Sequence, residues 1–306
     1  MNWREANAED LIDCLHIEPR AWGDEIVGRE RALDAWRMLA GSLVCNSAVV
    51  EIGGSKRKKV GFGLSVFVTR EFADKELERP RPGINSRIVA SVVKGKPVVC
   101  AEKTLCEEGR ALDVVIMSCN YRYDAMNAEE AMRVQLALPA AFAERHIGYR
   151  LNRILVETVS ERQRCVHQSS GVWRLVAEYP ECERALLLMT RAEAVAMPGS
   201  VVGPLFDYRE PVLGLRYVEK QLLAEALKGG TDKELAASLN LSLPTVKKRW
   251  ASLFDRIAEM RPELLPEGEL RESQESRGPQ KRHRILAYVR THPEEVRPFR
   301  WRMSAT

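Results

Sequence analysis

Hydrophobic and polar positions recur along this chain with two periods, and the change of period divides it. Through the first 196 residues, segments with strand spacing alternate with helical ones. Trp3–Glu5 reads as a short opening strand, and Asn7 to Asp10 can cap a helix carrying Leu11, Ile12 and Leu15. Arg31–Leu43 sets Leu33, Trp36, Leu39 and Ala40 on one helical face. Ser47–Ile52 and Val60–Thr69 are rich in β-branched and aromatic residues, with a Gly53-Gly54-Ser55 turn and a basic run, Lys56 to Lys59, between them. Pro80-Arg81-Pro82-Gly83 interrupts the chain, and Ser86–Val93 fits helix or strand. Leu112–Ser118 is an unbroken apolar run of the kind a buried central strand shows. Ala128–Arg145 predicts one long helix with Met132, Leu136, Ala140 and Ala143 on one side. A strand at Leu151–Thr158, a helix at Glu161–Ser169 and a strand at Val172–Tyr179 follow.

Beyond residue 196 the strand period disappears. Pro198, Gly199, Gly203, Pro204, Pro211 and Gly214 mark a linker, in which Phe206 and Tyr208 are positioned to dock. Leu215–Lys228 then has helical spacing. Thr231–Ile257 reads as two helices and a tight turn: Thr231 and Glu234 form a capping box, Asn240 and Leu241 make the turn, and Ser242 is an N-cap with Pro244 in the first turn behind it. At about 100° per residue, Val246, Trp250, Leu253, Phe254 and Ile257 share one stripe of the second helix. Pro262 and Pro266 end helicity, and Gln280–Arg290 forms a last amphipathic helix with Ile285, Leu286 and Val289 inward. The expected fold class is α+β. It comprises a mixed α/β sheet domain over 1–196, a linker over 197–214, an all-α domain over 215–260, and an acidic connection with a C-terminal basic helix over 261–306.

Charge sharpens this division. The net charge of +4 is unevenly spread: residues 1–214 carry 29 basic and 30 acidic side chains, 215–258 carry 8 and 5, 259–276 carry 2 and 6, and 277–302 carry 8 and 2. Positive charge gathers at the C-terminal end, as suits a polyanionic partner. On the second helix of the pair, Lys247 and Lys248 lie opposite the apolar stripe, and Thr245, Arg249, Ser252 and Arg256 run along one flank. A helix built this way suits a major groove, its outer face meeting base edges and its flank meeting phosphates.

Those residues also carry a resemblance. Glu219, Gly229, Lys233-Glu234-Leu235-Ala236, Leu239, Leu241-Ser242 and Thr245-Val246-Lys247 match, in order and without a gap, the LuxR/GerE-type helix-turn-helix of bacterial regulators. The resemblance implies that Thr245 contacts a phosphate and Lys247 the groove. Lys248, Arg249, Trp250 and Ala251 depart from the family's usual residues, so the DNA sequence that is read does not carry over.

The order of elements in the first domain is similar to that of the GNAT acyltransferase fold. Arg4-Glu5-Ala6, Glu9-Asp10-Leu11 and Val60-Gly61-Phe62-Gly63 resemble that family's opening and its strand after the hairpin. The family holds the pyrophosphate of acetyl-CoA on a glycine-rich loop between the central strand and the long helix. Here that connection, Cys119 to Asn127, has no glycine. Arg122 is placed there to meet an anion, and Tyr121 or Tyr123 to act as a general acid, but no catalytic residue and no cofactor is assigned. An autoinducer-binding domain would carry Trp-x-x-x-Tyr and Asp-Pro motifs, which are lacking, while a GAF or PAS sensor stays open.

The seven cysteines form no Cys-x-x-Cys pair and the five histidines show no ligand spacing, so reduced thiols and no metal are expected. No apolar run approaches the ~20 residues that span a bilayer, and the polar N-terminus is unlike a signal peptide. Together these features predict a cytoplasmic, homodimeric, double-stranded-DNA-binding transcriptional regulator whose first domain senses a small-molecule effector or mediates pairing. The alternative is a GNAT-type N-acyltransferase with a DNA-binding C-terminal module.

Overall fold

The computed structural model describes residues 3–7, 9–17, 26–53, 57–105, 107, 109–196, 202–265 and 274–298, with backbone alone at 11, 26–29 and 274–279. The turn residues Gly54 and Ser55, Lys56, the linker residues 197–201 and the acidic stretch 266–273 lie outside the described residues. Two compact units are formed, Met1–Asp207 and Tyr208–Thr306.

Seven strands make one mixed sheet in the first unit. β1 (Trp3–Arg4), β2 (Cys45–Ile52), β3 (Lys58–Val68) and β4 (Leu112–Tyr121) lie in order and antiparallel. β5 (Leu151–Thr158) runs parallel to β4, and β7 (Arg184–Thr190) sits between β5 and β6 (Arg174–Tyr179), antiparallel to both. β4 is central because its apolar run is buried from Leu112 to Met117 apart from one acid, Asp113. That carboxylate is satisfied by β5, where Arg153 Nε and Asn152 Nδ2 donate at 2.9 and 2.7 Å. Pairing this buried charge with its neighbour fixes the parallel register as well as offsetting the cost of burial.

Helices cover both faces. α1 (Asp10–Leu15) and α2 (Ile26–Leu39) pack on one, where Trp36, Val49 and Phe62 join the main core. On the other face Ala48, Val50 and Val60 meet Val134, Ala137, Leu138 and Ala141. The long helix expected at 128–145 is two helices, α6 (Ala128–Val134) and α7 (Ala137–His146). Pro139 is the cause, because it has no N–H for the Gln135 carbonyl four residues earlier. The Tyr121 hydroxyl occupies the break, donating to Gln135 O at 3.1 Å and accepting from Leu138 N at 2.9 Å. A side chain at Gly61 would put its Cβ 2.8 Å from the Tyr121 ring, so glycine is what admits that ring. Met132 and Leu136, which the apolar spacing puts on one side with Ala140, are 68% and 60% exposed, so the side they share faces solvent.

Three helices separate β3 from β4: α3 (Arg70–Glu78), α4 (Ile84–Val93), which settles the ambiguous segment as helix, and α5 (Glu102–Leu105). α8 (Glu161–Ser169) follows β5, and β7 leads into α9 (Arg191–Ala196). Leu205 and Phe206, expected in the linker, are buried in this unit's core.

The second unit is helical among its described residues: α10 (Tyr217–Leu227), α11 (Asp232–Ser238), α12 (Leu243–Met260) and α13 (Gln274–Thr291). Thr231 and Glu234 cap α11 reciprocally, and Ser242 accepts from Thr245 N at 3.3 Å to start α12. Asn240 takes the left-handed conformation at φ 52° that lets the chain turn between them. Val246, Trp250, Leu253 and Ile257 are buried against Leu222, Leu223, Leu235, Ile285 and Val289.

Candidate functional site

β4 and β5 pair only from Leu112–Leu151 to Ile116–Val156, whereas β4 stays paired with β3 as far as Tyr121. Beyond Ile116 the two parallel strands therefore part, and the β5 side of β4 has no strand partner among the described residues. The ladder to β3 slips at the same place, Leu64 pairing with Ser118 and Ser65 with Ile116, so that Met117 is bulged. On one side of this gap Asn85 of α4 donates to Met117 O at 2.8 Å. On α8, Gln163 Nε2 donates to Asn120 Oδ1 at 3.0 Å, and its Oε1 accepts from Val159 N at 2.8 Å. Arg162 lies over the Tyr123 ring, 4.5 Å from its centre. Side chains thus span the gap where main-chain bonding stops.

The end of β5 carries a buried charge cluster. Glu157 accepts from Gly83 N and Ile84 N at 2.8 Å each and from Arg184 Nη1 at 2.6 Å. Arg87 of α4 is bonded to Glu76 through Nε at 2.8 Å. Tyr179, at the end of β6, is 7% exposed and its hydroxyl has no hydrogen-bond partner among the described residues. Burial, and then the Glu157 carboxylate, push this phenol up to about 12, so it holds its proton across the physiological range. Buried hydroxyls are nearly always paired, which makes this one the group in the unit that most needs an explanation. It escaped the sequence reading because the charged groups around it, Glu157, Arg87 and Glu76, come from three other elements, β5, α4 and α3.

Other chemistry near the gap is excluded by its environment. Burial raises the Cys119 thiol to about 11, which keeps it from being a thiolate nucleophile. Tyr121 is also raised, by burial first, and both sides of its hydroxyl are spent on the α6–α7 break. That removes it as a general acid. The residues of the connection from β4 to α6 do not fit the phosphates of acetyl-CoA. Arg122 N donates to Val60 O, and Asn127 N and Glu130 N are consumed by their own capping box at 3.0 and 2.9 Å. Glu129 and Glu130 add two carboxylates to the first turn of α6, where an anion would have to approach. Arg122, the anion-binding candidate, is engaged with Asp124.

In the second unit the six residues assigned to DNA separate into two groups. Lys247 and Lys248 are exposed on α12, with Arg249 half-buried beside them and the Thr245 hydroxyl 2.8 Å from that of Ser242. Ser252 and Arg256 turn instead toward α10, where they bind Glu219, Arg256 Nε donating at 3.0 Å and Ser252 at 3.4 Å. Glu219 is fully buried and also accepts from Arg216 N at 2.8 Å and Arg216 Nη2 at 2.6 Å. Burial alone would raise its carboxyl, but the Arg216 bonds and the Arg256 charge hold it below the usual value. Ser252 and Arg256 are therefore withdrawn from the outward flank, because a buried carboxylate needs cations more than the surface does.

No family model and no curated protein matches this chain. It is similar to three solved acetyltransferases. One, from Streptococcus agalactiae, is 9% identical with a TM-score of 0.37, covering 62% of this chain and 97% of its own. A spermidine N-acetyltransferase from Vibrio cholerae is 8% identical with a TM-score of 0.34, covering 65% and 98%. An agmatine N-acetyltransferase is 13% identical with a TM-score of 0.33, covering 62% and 98%. These findings correct the expectation of a transcriptional regulator: the similar structures with a named activity are acetyltransferases, the activity of the alternative. Among the described residues no helix is long and apolar enough to cross a membrane.

Proposed function

We propose that this chain is an N-acyltransferase of the GNAT type joined to a helix-turn-helix unit of the LuxR/GerE type that binds duplex DNA. The parting of β4 from β5 carries the first half of the reading. It leaves a wedge at the carboxyl ends of two parallel strands, the position at which such sheets take ligands. Acyl transfer to an amine asks the protein to hold donor and acceptor in line and to supply a proton to the departing atom. Tyr179 suits the second task, being a buried phenol that keeps its proton and has no partner among the described residues. The test is to mix the full chain with an acyl thioester and a panel of primary amines while following thiol release. No amine-dependent release, together with no saturable donor binding by calorimetry, removes this reading.

The second half rests on the outer face of α12, where Thr245, Lys247, Lys248 and Arg249 meet DNA in this reading while the apolar stripe is buried. Selection from random duplexes should recover bound sequences, and affinity should fall steeply with salt as phosphate counterions are released. Half-sites one helical turn apart would mark two copies on one duplex.

A further inference from the structure

We infer that the acyl donor is recognised through a pantetheine-type thioester arm and not through its nucleotide phosphates. The inference rests on the acyltransferase reading above. Its basis is the mismatch between the two parts of the donor's expected path. The wedge offers a strand edge, β4 beyond Ile116, that no other strand covers among the described residues; Asn85 takes the Met117 carbonyl there, and an extended arm bearing amides can bond to the rest of the edge as an added strand does. The start of α6 offers the reverse of a phosphate site. Its connection has no glycine, its cap is filled by Asn127 and Glu130, and Glu129 and Glu130 bring negative charge to the helix end that would otherwise attract an anion. Lys58 Nζ, a cation near this connection, donates to Ala125 O at 2.8 Å.

The chemistry is unchanged by losing the nucleotide. The amine nitrogen forms a bond to the acyl carbon, the carbon–sulfur bond breaks, and the sulfur leaves with its electron pair. The thiol takes up one proton as the amine gives one up, so the products are an amide and a free thiol with no redox partner. Nothing in that balance involves the phosphates. In an enzyme that grips them they contribute affinity alone, each charge-assisted bond being worth on the order of 10-fold or more.

Calorimetry on the full chain with coenzyme A, pantetheine and the isolated nucleotide half, adenosine 3′-phosphate 5′-diphosphate, tests this. Dissociation constants for coenzyme A and pantetheine within about 3-fold of each other are expected, with no saturable binding of the nucleotide half. Coenzyme A binding more than about 30-fold tighter than pantetheine, or saturable nucleotide binding, overturns the inference while leaving the acyltransferase reading in place. Binding of neither thiol overturns the inference, and overturns the acyltransferase reading as well when amine-dependent thiol release is also lacking, which distinguishes the two failures.

Discussion

A buried ionisable group stands at the candidate site of each unit, Glu219 in one and Tyr179 in the other, and the two are treated in opposite ways. Glu219 in the helical unit is fully enclosed, yet it collects bonds from Arg216, Ser252 and Arg256 and is held ionised by them. Tyr179 in the sheet unit is nearly as enclosed, has no hydrogen-bond partner for its hydroxyl among the described residues, and is kept neutral by burial. A satisfied buried group tells how a fold is held. One left without a partner costs stability, typically about 1–3 kcal/mol, and that cost points toward a use outside the fold.

The largest effect that can break this comparison is at Glu219. Glu219→Ala removes the buried acceptor shared by Arg216, Ser252 and Arg256 and should destabilise the helical unit by about 1.5–3 kcal/mol, read by denaturant unfolding of the full chain. Because the carboxyl is held below its ordinary value, its contribution is complete above the unfolded pKa of about 4.3 and is lost as pH falls through the lower folded value. Unfolding of this unit should therefore become easier on acidification below about pH 4 in the wild type, and that acid dependence should shrink in the variant.

Tyr179→Phe should do the reverse. Removing an unpartnered buried hydroxyl leaves stability unchanged or raises it by about 1 kcal/mol, while thiol release should slow by about 100-fold or more if the phenol supplies the proton. Lost stability with unchanged turnover would show that Tyr179 is a packing residue. Replacing Lys247 and Lys248 together with alanine should reduce the slope of log affinity for DNA against log salt by about 2, with the fold intact. The same treatment of Ser252 and Arg256 should weaken the helical unit before it changes that slope. The smallest effect is at Tyr121→Phe, where the loss of the bonds to Gln135 and Leu138 should cost about 1–2 kcal/mol without slowing transfer. A drop in turnover there would restore Tyr121 as the acid.

Much of the fold was legible before the structure. The capping box at Thr231 and Glu234, the Ser242 cap and the buried stripe of α12 are interactions between residues three or four apart, and the chain states them locally. β5 and α8 also have the expected bounds, since a period of two and a serine cap are short-range signals. The break at Pro139 is equally local, but the apolar spacing runs through it and predicts one helix. β7, α3 and α5 have no counterpart in the sequence reading and α4 stood open between helix and strand, so the cluster of Glu76, Arg87, Glu157 and Arg184 was not legible.

The candidate sites divide along the same line. The residue types at the outer face of α12, and the missing glycines after β4, follow from sequence alone, because angular position and backbone freedom are properties of single residues and their neighbours in the chain. Only the tertiary structure decided that Ser252 and Arg256 serve Glu219, that β4 and β5 separate after Ile116, and that the Tyr179 hydroxyl is buried without a partner among the described residues. Each of these depends on which distant groups are brought together as charge and apolar surface leave water, and no periodicity along the chain encodes that choice.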